Sequence, residues 1–188
     1  MNNYEYIIAS LPIPDKAAAL DVDGLLEEIR SQLDSADNAL LSLLLDGFNS
    51  DRLDRDFYVA ALGSSNGFIR GYFMTDLQVR NTKTEYLNRK LGRPEGLDVI
   101  DLPDSLDFDG RPEVEAVLAG TDILEREKGL DSIMWDTSER LTLMHLFDLD
   151  IILSFVARMM ITDRWNRLDA ETGREMFRSL VQEIRNTR

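Results

Sequence analysis

Apolar side chains recur along this chain at steps of three and four, a spacing that suits helices packed on helices. Val22, Leu25, Leu26, Ile29 and Leu33 fall on one side of a helix, with Asp21 or Asp23 placed to cap its first amides. Ser35 or Asp37 opens a second helix through Leu40, Leu41, Leu44 and Phe48, and Gly47 marks its end. Residues 52–63 read as a short helix that stops by Gly63. A longer one runs from Asn66 to Leu91, where Ile69, Phe73 and Leu77 repeat at i, i+4, i+8, Leu87 and Leu91 resume the spacing, and Gly92 and Pro94 end it. The chain is helical again after Pro112, with interruptions expected at Gly120 and Gly129. Leu149, Ile152, Leu153, Val156, Met159 and Met160 make a broad apolar face that predicts the central core helix. Asp169 caps a last helix striped by Met176, Phe177, Leu180, Val181 and Ile184.

Tyr4 to Leu11 alternates weakly and fits a short strand or a helix start; we assign it as a short extended segment closed by Pro12 and Pro14. The predicted fold is therefore all-α, an irregular multi-helix bundle. It forms one domain over residues 1–188, with two helical halves, about 1–93 and 112–188, joined by an acidic loop at 94–111.

Composition narrows the chemistry. With no cysteine, disulfides, thiolate zinc sites and cysteine nucleophiles are all excluded, which fits a reducing compartment. The N-terminus lacks a basic n-region and a long apolar run, and the most apolar stretch, 149–161, contains Asp150 and Arg158. Neither a signal peptide nor a membrane span is expected, and the localisation read from this is cytoplasmic. His145 is the only histidine and is expected as a core or boundary residue. No P-loop and no G-x-S-x-G elbow accompany it, so no catalytic residue, cofactor or metal site is assigned. The 105–116 loop resembles a calcium loop only in part: Asp107, Asp109 and Gly110 align, but Ala116 stands where the bidentate Glu belongs. It is expected to be a solvated acidic loop. The run 124–135 is expected to be a solvated helical face, and Trp135 and Trp165 core residues that could also anchor a partner.

A formal charge of −14 argues against nucleic-acid binding. The charge is uneven: residues 67–93 carry six basic side chains against two acidic, and 158–188 seven against five. Arg80, Lys83 and Lys90 share one helical face, and Arg174, Arg178 and Arg185 another. Two readings are open: internal pairing with the acidic helices, or a basic face that docks an acidic partner.

Several segments resemble, in order, a family of short uncharacterised proteins whose genes lie among those for bacterial V/A-type ATPase subunits. They are YEYIIASLP, DVDGLLEEI, LDSADNALLSLLL, FMTDLQVRNTKTEYLNRKLG, ILEREKGLDSIMW and LDIILSFVARMMITDRWNRLDAETGREMF. The string Asp163-Arg164-Trp165-Asn166 followed by Leu168-Asp169 and Gly173 is the most specific. The resemblance implies a non-catalytic subunit or accessory of a rotary ion-translocating ATPase. Its partners would be the central stalk and the membrane rotor ring, at the cytoplasmic face of the inner membrane. The chain is also similar, more weakly, to the C-type component of these ATPases, the helical funnel that joins the central stalk to the rotor ring. That similarity rests on Gln78–Asn81 and Asp163–Asn166, which keep the funnel's spacing of an acid or amide three before Asn. This chain has room for two such units where the funnel has three. The partner-binding residues expected on these grounds are Arg80, Asn81, Lys83, Arg89, Lys90, Arg164, Trp165, Asn166, Arg174 and Arg178. The alternative is an acidic helical adaptor with unrelated protein partners.

Overall fold

The computed structural model describes residues 4–13 and 21–167, and within them every regular element is helical. In chain order these are α1 (Glu5–Ser10), α2 (Val22–Gln32), α3 (Ser35–Asp46), a 3-10 turn (Ser50–Arg52), α4 (Arg55–Leu62), α5 (Gly67–Leu91), α6 (Arg111–Leu118), α7 (Ile123–Leu141) and α8 (Leu149–Arg167). Short polar side chains start most of them. Asp21 accepts from the Gly24 amide and Asp34 from the Asp37 amide. Asp54 accepts from Phe57, Asn66 from Ile69, and Asp122 from Leu124 and Glu125. Each satisfies a first-turn donor that has no partner within the helix. The cap of α3 is thus Asp34, one residue ahead of the expected Ser35. Gly92 ends α5 at φ +64°, a left-handed conformation that suits glycine best.

The N-terminal segment is a correction. It is not extended but helical, because Tyr4, Ile7, Ile8 and Leu11 also fall at i, i+3, i+4, i+7, and that face packs on the core. Leu11 then takes extended geometry ahead of Pro12.

α5 organises the packing. Its N-terminal half buries Phe68, Ile69, Tyr72, Phe73 and Leu77. Phe73 meets Phe57 of α4 edge-on at 4.9 Å, and Tyr72 stacks on Phe68 at 5.6 Å. The helix contacts α4 and also α6, α7 and α8, so the apolar cluster runs through both halves of the chain. α8 crosses this core with Ile152, Leu153, Phe155, Val156, Ala157 and Met159 buried. It lies antiparallel to α7, since Ser154 Oγ donates to the Ser138 carbonyl at 3.1 Å while Trp165 reaches back to Asp131.

Two glycine and leucine expectations fail for identifiable reasons. Gly129 does not break the helix; it sits inside α7, where a Cβ would lie 2.6 Å from Val117 Cγ1. It is there because α6 passes close by. Leu87 and Leu91 do not continue the buried stripe: they are 39% and 60% exposed, and the C-terminal third of α5 turns polar side chains inward instead. The expected C-terminal helix lies outside the described residues. Among the described residues, no helix is long and apolar enough to cross a membrane.

The Gly129 contact gives a direct test. Gly129→Ala should destabilise by about 1–3 kcal/mol from overpacking, despite the ~1 kcal/mol that alanine gains in helix propensity. Urea unfolding would show a lower midpoint; a raised midpoint would remove the close approach.

Candidate functional site

The basic face of α5 is engaged with this chain's own acids. Arg80 Nε lies 2.8 Å from Asp76 Oδ2, one turn earlier, and the same carboxylate oxygen accepts the Tyr58 hydroxyl at 2.6 Å. Burial is the largest single influence and pulls the Arg80 pKa down, but the Asp76 charge and hydrogen bond together with the Tyr58 and Tyr72 hydroxyls outweigh it, leaving the guanidinium held above its usual value. Lys83 Nζ reaches Glu127 of α7 at 2.6 Å, and Arg89 reaches Glu115 of α6 at 2.6 Å. Lys90 rests over the Tyr86 ring, 5.5 Å from its centre. Helices α6 and α7 therefore meet α5 partly through charge. Pairs this open to water stabilise little, because solvent screens both charges.

Asn81 requires a correction. The resemblance puts it on a partner-binding surface, but it is 3% exposed and both ends of its amide are bonded. Nδ2 donates to the Ile100 carbonyl at 2.9 Å, and Oδ1 accepts from the Ile100 amide at 3.0 Å. It belongs to a row on one face of α5, formed by Gln78, Asn81, Glu85 and Asn88 at steps of three, four and three. Gln78 Nε2 donates to the carbonyls of Asp104 and Asp107, and Asn88 Nδ2 to that of Leu97. Glu85 pairs with Arg111. The row holds the irregular acidic segment, which lies along α5.

The second expected cluster is also internal. Arg164 pairs with Asp131, and Trp165 Nε1 donates to the same carboxylate at 2.6 Å. Lys128 and Arg164 both lie over the Trp165 ring, 5.8 and 5.5 Å from its centre. Burial is the largest influence on Asp131 and raises its pKa from the ordinary aspartate value, with Arg164 and Trp165 opposing. Asn166 is exposed. Arg174 and Arg178 lie outside the described residues. Trp135 is buried, with Arg158 5.5 Å over its ring and its Nε1 donating to Glu139.

Open clefts occur among the described residues, and two bear on function. One, of about 570 Å³, lies between α5, the acidic segment and α7, lined among others by Gln78, Asp107, Phe108, Glu113, Asp136 and Arg140. The other, of about 310 Å³, is where the starts of α3, α5 and α8 converge. There His145 Nδ1 lies 2.6 Å from Asp148 Oδ2 and 3.7 Å from Asp150, and Asn66 donates to Asp150 at 2.6 Å. His145 is a boundary residue, as expected. These acids sit at helix starts, where they complement the positive ends of the helix dipoles. Among the described residues, no group of three or more His, Cys, Asp or Glu is placed to hold a metal ion.

The same bonds fix the turn between α7 and α8, and the Tyr4 amide ties it further by donating to the Phe147 carbonyl at 2.8 Å. With His145 turned inward, its neighbours face solvent: Leu143, Met144, Leu146 and Phe147 are 75%, 93%, 73% and 45% exposed. A run of large apolar residues displayed by an anchored turn is uncommon on a surface without a binding role. Spacing singles out no residue of this turn except His145, because exposure is a property of the packed helices.

A family model described as "Protein of unknown function (DUF2764)" matches residues 48–187. The chain belongs to this family. No curated protein and no solved structure matches it. Within this DUF2764 member, the matched region takes in α4 to α8, the polar row of α5, the acidic segment and the apolar turn.

Asp131 offers a pH test of the internal cluster. Its raised folded-state pKa means that the native state holds this proton more tightly than the unfolded chain does. Its contribution therefore lowers stability as pH rises from the ordinary aspartate value of about 3.9 through the higher folded value. A carboxyl-detected NMR titration should place the Asp131 midpoint above 3.9, and Asp131→Asn should remove that part of the pH dependence. A midpoint at or below the ordinary value would contradict the burial of this pair.

Proposed function

We propose that this DUF2764 protein is a non-catalytic docking component or accessory of a V/A-type rotary ATPase, acting in the manner of the C-type funnel between the central stalk and the membrane rotor ring. The observation that carries the docking part is the anchored turn at 143–147, with Met144 93% and Leu143 75% exposed. A contact surface of this kind gains most of its affinity from a few apolar anchors shielded from water. The ATPase part rests on the resemblance of the quoted segments. An all-helical body suits a rigid coupler, and a peripheral position on the cytoplasmic face of the inner membrane needs no spanning helix.

The internal pairing of Arg80, Lys83, Arg89 and Arg164 favours the apolar turn over the basic face as the contact. The two surfaces separate in one experiment, recovery of tagged protein from its native host with quantification of what accompanies it. Met144→Ser with Leu146→Ser should reduce recovery of ATPase subunits about ten-fold or more while leaving the melting temperature nearly unchanged. Arg80→Glu with Lys83→Glu should instead lower stability, by up to about 1 kcal/mol per pair, and leave recovery intact. Loss of partners from the second variant and not the first would return the contact to the basic face. Recovery of proteins unrelated to the ATPase would support the acidic-adaptor reading.

A further inference from the structure

Residues 97–107 have no helix or strand to satisfy their backbone, and side chains of the helical body do it for them. The carbonyls of Leu97, Ile100, Asp104 and Asp107 accept from Asn88, Asn81 and Gln78 of α5, and Arg55 of α4 donates to that of Asp101 at 2.7 Å. Unpaired carbonyls at these positions would be costly wherever water is excluded. The apolar hold is small by comparison: Leu102 is the only apolar side chain of this stretch that is fully buried, beside Ser105. Ser105 Oγ itself closes the turn, accepting from the Leu102 amide at 3.0 Å.

The outward side of the segment is charged with one sign. Asp98, Asp101, Asp104, Asp107 and Asp109 are exposed, and none forms an ion pair among the described residues. Asp98 and Asp104 also sit at φ +61° and +63°, a left-handed conformation that aspartate adopts at a modest energetic cost. The segment is thus pulled inward by amide hydrogen bonds and pushed outward by mutual repulsion of its carboxylates.

We propose that residues 97–107 are a strap that opens as a unit while the helical body stays folded, with Asn81 as its latch and ionic strength setting how often it opens. Asp107 and Phe108 line one wall of the larger cleft and Gln78 lines another while bonding the strap. Opening therefore converts that cleft into a groove along α5 and presents Gln78, Asn81 and Asn88 to solvent. This device is distinct from the docking turn, none of whose residues lines that cleft.

Amide hydrogen exchange followed by NMR tests it on the full chain. The amides of Ile100, Leu102 and Ser105 report the closed strap, because all three are hydrogen-bonded within it or to Asn81. They should exchange about ten-fold or more faster than the core amides of α8, as expected for local opening. Raising salt from about 20 mM to about 500 mM should slow them by screening the carboxylates. Asn81→Leu should speed them about ten-fold further with α8 unchanged. Should that variant fail to fold, Asp98→Asn with Asp101→Asn and Asp104→Asn removes charge from exposed positions. Asparagine tolerates the left-handed positions, so this triple variant should slow strap exchange at low salt and weaken its salt dependence. Exchange of these amides at the rate of α8 in every condition, or strap exchange indifferent to both salt and the triple variant, would overturn the proposal.

Discussion

Among the described residues, the two hydrogen bonds between the Asn81 side chain and the Ile100 backbone join the longest helix to the longest irregular segment, and the path of the chain from 92 to 111 depends on them. An amide in this position does what a neighbouring strand does for an edge: it supplies one donor and one acceptor to a backbone that has neither within reach. The N-terminal half of α5 is fixed by aromatic packing, so the row of Gln78, Asn81, Glu85 and Asn88 is presented at a constant angle. Helix α6 then begins where Arg111 meets Glu85. One helix thus holds the core on its first turns and the connection to α6 on its last.

This arrangement also decides what the surface can offer. Cations that would otherwise make α5 a basic docking face are directed to Asp76, Glu127 and Glu115, where they help seat the helix against itself, α7 and α6. What the fold leaves outward is different in kind: a row of exposed aspartates on the strap, and the apolar turn between α7 and α8. The turn is held from behind by His145, Asp148 and the Tyr4 amide, so its exposed side chains gain their position without being buried. An anchored turn loses little entropy when a partner covers it, which favours a contact role.

Most of the helices were legible in the sequence because a buried face imposes a period that survives in the residue pattern, as in α2 and α8. The misreadings have common physical roots. Tyr4 to Leu11 is too short for periods of two and 3.6 to be told apart, and its helical face is selected only by the core it meets. Gly129 reads as a break, but in α7 it is a point of close approach to Val117. Leu87 and Leu91 keep apolar spacing on a helix whose inner face has become polar. Among the candidate site residues, the basic side chains were visible but their partners were not: Lys83–Glu127 and Arg89–Glu115 join residues 44 and 26 positions apart. Asn81 looked like a surface residue for the same reason, since the carbonyl it serves is 19 positions away. The apolar turn was hidden most completely, because leucine and methionine in a connection do not declare whether the helices will cover them.

Photo-crosslinking in the native host tests most directly the claim that the apolar turn, and not the basic face of α5, is the surface of contact. A photoreactive amino acid would be placed at Met144 in one variant and at Lys83 in another, and adducts identified by mass. Position 144 should give adducts to another protein, an ATPase subunit, and position 83 only bonds within this chain, to the vicinity of Glu127. Adducts to a partner from position 83 with none from position 144 would contradict that claim.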